Sequence, residues 1–101
     1  MMDIKTVGII GAGQMGSGIA HVCALAGYEV LLHDVSRDRI EAGLSTIQRN
    51  MARQVGRGLI RQDEMDAAVP LIKAAEELQS VGQADLAIEA ATEDELSLIH
   101  I

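Results

Sequence analysis

The chain has 101 residues, 49% of them apolar, enough for one domain with its own core and too many for a disordered segment. Eight Lys and Arg against fifteen Asp and Glu leave a formal charge of −7 with no basic cluster, so nucleic acid and anionic membrane are poor partners. The apolar runs are about one strand long, far below the ~20 residues of a bilayer span, Asp3 and Lys5 fall where a signal peptide would turn apolar, and Cys23 has no second cysteine to bond. A cytoplasmic protein is expected.

The core must be aliphatic, because the chain holds one Tyr and neither Phe nor Trp. Ile4, Val7, Ile9 and Ile10 form a β-branched run without polar alternation, as in a strand buried on both faces of a parallel sheet. Gly11 breaks it. From Gly13 the apolar positions Met15, Ile19, Val22, Cys23 and Ala26 recur at helical intervals, and Gly27 is placed to end that helix in a left-handed conformation. Tyr28 to His33 makes a second strand. A strand-helix-strand of this length implies a right-handed crossover and parallel pairing, with Asp34 at the carboxyl end.

Ser36 can cap the next helix, with Asp38 in its first turn. Ile40, Leu44, Ile47, Met51 and Val55 then hold one apolar stripe until Gly56 and Gly58 make a corner. A second helix is expected over Arg61 to Val69, closed by Pro70. Leu71 to Ala74 gives a third strand, Glu76 to Val81 a turn or short helix, and Leu86 to Ala91 a fourth strand. The fold class is thus α/β, a partial doubly wound parallel sheet of order 3-2-1-4 with a long helix pair between strands two and three.

The chemistry concentrates in Gly11-Ala12-Gly13-Gln14-Met15-Gly16, a G-x-G-x-x-G turn between the first strand and the first helix. A pyrophosphate needs backbone N–H groups aimed at it and no side chain in the way. Gly11 permits the tight turn, Gly13 the approach of the diphosphate, and Gly16 close packing of the helix, whose N-terminus adds partial positive charge. Gln14 and Met15 would lie along the cofactor. Asp34 would accept hydrogen bonds from the adenosine ribose and repel a 2′-phosphate, which favours NAD over NADP. The motif has its preceding strand, its following helix and its acid, so it proposes a dinucleotide site against the plainer alternative of an unliganded glycine turn.

Other polar residues take ordinary roles. Cys23 is expected in core packing, His21 off the apolar stripe in solvent, and His33 at a strand end without chemistry of its own. Asp63, Glu64 and Asp66 have no ligand spacing and are expected on a solvated helix face, as are Asp94 and Glu95.

Val7 to Ala20 with its glycine turn, Gly27-Tyr28-Glu29-Val30, Asp34, and Ala84-Asp85-Leu86-Ala87-Ile88-Glu89-Ala90-Ala91-Thr92-Glu93 together resemble the amino-terminal domain of the 3-hydroxyacyl-CoA dehydrogenases. The resemblance extends from about residue 4 to Glu95 and includes the long helix pair after Asp34. It implies NAD-dependent, reversible oxidation of an L-3-hydroxyacyl-CoA to the 3-ketoacyl-CoA. By the same resemblance Gly11 to Gly16 are the pyrophosphate loop and Asp34 the ribose acid, and Ala90, Ala91 and Glu93 are strand-four cofactor contacts. Asn50 and Arg57 stand where relatives carry a serine and a lysine that touch coenzyme A; from the residues alone both are exposed helix positions. An acyl-CoA substrate and a homo-oligomeric full-length protein are implied.

The family's catalytic His, its partner Glu, and the Ser and Asn that hold substrate have no counterpart in this chain, nor does the Lys expected around Leu98. The domain is expected to span 1–95. Leu96-Ser97-Leu98-Ile99-His100-Ile101 departs from the family pattern and equals the translation of CTGTCTCTTATACACATC, a transposon end used in sequencing adaptors. A non-native tail at 96–101 is therefore expected. Two alternatives share the architecture: a non-catalytic NAD-binding crystallin-like protein, and a 3-hydroxyisobutyrate-type dehydrogenase, whose residues after strand two usually differ from Asp34-Val35.

Overall fold

A computed structural model describes residues 4–90, so the expectations for Ala91, Glu93 and the 96–101 tail lie outside the described residues. Strand β1 (Thr6–Ile10) leads through the glycine turn into helix α1 (Gln14–Leu25) and strand β2 (Glu29–His33). Helices α2 (Arg37–Gly56) and α3 (Gln62–Ala68) follow, then a 3-10 turn (Val69–Leu71) and strand β3 (Ile72–Ala74). A short helix α4 (Leu78–Val81) precedes strand β4 (Leu86–Glu89). The sheet order is β3-β2-β1-β4 and every pair is parallel, as the run of crossovers requires. Among the described residues no helix is long and apolar enough to cross a membrane.

Register places Val7 beside Val30 and Ile9 beside Leu32 and Ile88. Val7, Ile9, Val30 and Leu32 are all buried, and with Ile47 and Met51 of α2 they form the aliphatic core. Gly8 faces the other side of the sheet. A Cβ there would lie 2.5 Å from Val81 Cγ1 and 3.2 Å from Ala84 Cβ, so the missing side chain lets α4 and the turn after it press onto β1.

Both long helices end as their glycines suggest. After α1, Gly27 has φ 97°, its N–H donates to Ala24 O, and Tyr28 N–H donates to Cys23 O. After α2, Gly58 has φ 75°, its N–H donates to Val55 O, and Leu59 N–H donates to Gln54 O. These paired bonds satisfy last-turn carbonyls that no helical N–H can reach. Ser36 caps α2 as expected, its Oγ accepting from Arg39 N–H at 3.1 Å.

The apolar stripe expected on α1 holds at Ile19 and Cys23, which pack half-buried against the core, and is corrected at its other positions. Met15 and Val22 are exposed, and the buried residues are Gly16, Ser17, Ala20, His21 and Ala24. Small residues win that face because the helix lies close against the sheet, where larger side chains would not fit. His21 was expected in solvent and is buried instead, with Nε2 donating to Gln54 Oε1 of α2 at 2.7 Å. Cys23 is half-buried against the core, and burial pushes its thiol up.

The amino-terminal edge of the sheet is tied by Asp85. Its Oδ2 accepts from Lys5 N–H at 2.9 Å and Thr6 N–H at 3.1 Å, and these bonds hold the carboxyl below its ordinary 3.8. Because the folded-state pKa lies below the unfolded one, the bonds stabilise fully above that value and lose their effect as pH falls through the folded one. Asp85→Asn is expected to flatten the acid dependence of urea unfolding below pH 3.8. An unchanged acid limb in the variant would remove Asp85 from that role.

Candidate dinucleotide site

The chain runs outward from β1 to β2 and β3, then returns to place β4 on the other flank of β1. In parallel sheets of this kind ligands bind beyond the carboxyl ends of the strands, where the direction of winding reverses. The glycine turn occupies that position. Gly11 has φ 112°, a value that favours glycine, and its N–H donates to His33 O at 2.7 Å. Ala90 N–H donates to Ile10 O at 2.8 Å, so β4 fixes the turn from the opposite side.

Gly16 is the most constrained position. A Cβ there would sit 1.7 Å from Gly11 O and 2.8 Å from Gly11 C, inside the backbone of the preceding turn. Only a glycine allows α1 to begin this close to β1. The helix has no side-chain cap and no acid in its first turn, which leaves its N-terminal N–H groups and partial positive charge available to an anion. Gln14 and Met15 are exposed at this end of α1.

Asp34 is buried at 7% exposure, yet both its oxygens find donors. Oδ2 accepts from Ala12 N–H at 2.8 Å, and Oδ1 accepts from Val35 N–H at 2.6 Å. The acid therefore ties the end of β2 to the glycine turn. Each carboxylate oxygen retains a lone pair for further donors. His33 also has a structural partner: Nδ1 donates to Ala75 O at 2.7 Å, and since a carbonyl only accepts, that nitrogen carries the proton.

Beside the turn, an open groove of about 660 Å³ runs between α1 and α2, lined by Ala12, Gly13, Gln14, Gly43, Thr46 and Asn50 among others. Asn50 is half-buried there, with Oδ1 accepting from Arg53 Nη2 at 3.0 Å. Arg57 is absent from the lining and caps the exposed end of α2. Asp63 and Glu64 both lie within 4 Å of the Arg61 guanidinium on the exposed surface.

Two contributors escape a reading of the sequence. Ser17 is buried and its Oγ donates to Ala12 O at 3.0 Å, bracing the turn from within the helix. Gly43 lies in mid-helix, where glycine costs about 1 kcal/mol relative to alanine. That cost is the signal of a close approach: its Cβ would meet Ser17 Oγ at 2.9 Å and Ala12 O at 3.0 Å.

The family profile described as 3-hydroxyacyl-CoA dehydrogenase, NAD binding domain, matches residues 6–97. A 3-hydroxybutyryl-CoA dehydrogenase of Bradyrhizobium diazoefficiens is 52% identical over 92 residues, which cover 91% of this chain and 31% of the relative. One from Mycobacterium tuberculosis is 41% identical over 92 residues, covering 91% of this chain and 32% of the relative. The crystal structure of (S)-3-hydroxybutyryl-CoA dehydrogenase from Ralstonia eutropha superposes with a TM-score of 0.86 at 34% identity, over 97% of this chain and 35% of that one. The chain spans about a third of the length of these relatives. With its glycine cradle, its uncapped helix and its buried acid at the end of β2, the chain belongs to the NAD-binding domain family of the 3-hydroxyacyl-CoA dehydrogenases.

Proposed function

We propose that this chain is the cofactor-binding part of an enzyme that interconverts L-3-hydroxyacyl-CoA, such as 3-hydroxybutyryl-CoA, and the 3-ketoacyl-CoA. The observation that carries the reading is the Gly16 cradle, closed to any side chain and joined through Ala12 to the buried carboxylate of Asp34. The N–H groups at the start of α1 would hold the pyrophosphate, and Asp34 would accept from the adenosine ribose. The chemistry that bound NAD supplies is acceptance of a hydride from the carbinol carbon.

Ala90, Ala91 and Glu93 belong to the same reading as contacts after β4. Asn50 fits a coenzyme A contact by its place in the groove, whereas Arg57 would need a ligand that reaches about 10 Å further along α2. The cytoplasm, a homo-oligomeric full-length enzyme and an acyl-CoA substrate complete the proposal. His21 and His33 are both engaged in internal hydrogen bonds, so neither is offered as the group that takes the hydroxyl proton.

Calorimetric titration of the 101-residue chain tests this. Saturable NAD binding, tighter than NADP, is expected, together with acetoacetyl-CoA-dependent NADH oxidation no faster than the blank. A chain that is folded by circular dichroism and binds no NAD would refute the site assignment.

A further inference from the structure

The first turn of α2 carries two cations, Arg37 and Arg39, at the end of a helix where the dipole disfavours positive charge. Arg37 has local partners, since its guanidinium pairs with Glu41 at 3.2 Å and with Glu76. Arg39 does not share them. Among the described residues the carboxylate within 4 Å of Arg39 is Asp34, with Nη1 standing 3.9 Å from Oδ1. That carboxylate already accepts from two backbone N–H groups. The separation is longer than a hydrogen bond, and the Arg39 side chain is 58% exposed, so the guanidinium keeps its donors for another anion.

The position matters because of what Asp34 does. An acid at the end of the second strand accepts from ribose hydroxyls and repels a 2′-phosphate, whereas an arginine nearby accommodates that phosphate. Here both groups are present and adjacent. The geometry points to Arg39 as a specificity-determining residue at the adenosine end, a guanidinium that pairs with the 2′-phosphate of NADP and limits the discrimination imposed by Asp34. The inference rests on the reading of Asp34 as the ribose acceptor. A phosphate on the 2′-oxygen of a ribose held by Asp34 would lie close to this guanidinium, whose Nη1 stands 3.9 Å from Asp34 Oδ1. The planar fork of arginine matches a phosphate through paired N–H donors, which an ammonium cannot reproduce.

Titration of the whole chain and of Arg39→Ala with NAD and NADP reads this, with AMP and adenosine 2′,5′-bisphosphate as probes of the adenosine end alone. In the unsubstituted chain NAD is expected to bind more tightly than NADP. Arg39→Ala is expected to weaken NADP and the bisphosphate about fivefold, the scale of a single exposed charge pair, while NAD and AMP change less than about twofold. Arg39→Lys should recover part of the loss. Equal weakening of all four ligands, or an unchanged NADP to NAD ratio, overturns the inference and leaves the NAD site standing. Absence of NAD binding to the folded, unsubstituted chain removes the site and the inference with it.

Discussion

Gly16→Ala is expected to abolish measurable NAD binding and to destabilise the fold by at least about 3 kcal/mol, near the upper end for an overpacked site. For a domain of this size that lowers Tm by roughly 12 °C or more. The new methyl carbon would be placed 1.7 Å from Gly11 O, and because the clash is with a backbone carbonyl, no flexible side chain can move aside to relieve it. Relief requires α1 to withdraw from β1, which opens the turn that holds Ala12 and Gly13. A thermal melt with a parallel NAD titration decides it: a variant that melts like the parent would mean the helix start is more compliant than its geometry states.

Asp34→Ala carries the second large effect, on stability and affinity together. Removing the carboxylate leaves the Ala12 N–H without its 2.8 Å acceptor in a buried place, at a cost of about 1–3 kcal/mol. On the proposed reading of Asp34 the ribose loses its acceptor as well, so NAD affinity should fall at least about tenfold. Asp34→Asn separates the two consequences. The amide oxygen can still accept from Ala12 N–H while the amide NH2 then faces Val35 N–H, so one of the two bonds is kept and stability should fall less than in Asp34→Ala, while the loss of charge should move the NADP to NAD affinity ratio towards unity. A ratio fixed across both variants would show that Asp34 does not set the choice of cofactor.

The parts of this site legible in the sequence are those written in strong local signals. The glycine spacing, the β-branched run before it and the acid at the end of the next strand each have a backbone reason visible in one dimension. The sheet order follows from the same signals, because right-handed crossovers leave few ways to arrange such strands. The face of α1 is legible only at Ile19 and Cys23, because the residues most buried on it, Gly16, Ser17, Ala20 and Ala24, carry little hydrophobic signal, while the exposed Met15 and Val22 carry much. His21 and Gln54 meet across two helices, and Lys5 and Asp85 meet across the sheet, at separations no periodicity registers. The proximity of Arg39 to Asp34 depends on the pitch at which α2 leaves β2, which a string of residues does not specify.

The central place of β1 also sets a timetable. Its partner on one side, β2, follows within a few dozen residues, but the Asp85 that ties its other side lies 80 residues beyond Lys5. At a synthesis rate of roughly 5–20 residues per second, that partner trails by about 4–16 s. Through this interval the nascent β1–α1–β2 unit would offer an unpaired, β-branched strand edge to its surroundings. The strand on that flank of the glycine turn is thus the last of the four described strands to be made, and the Ala90 N–H that donates to Ile10 O arrives only with it.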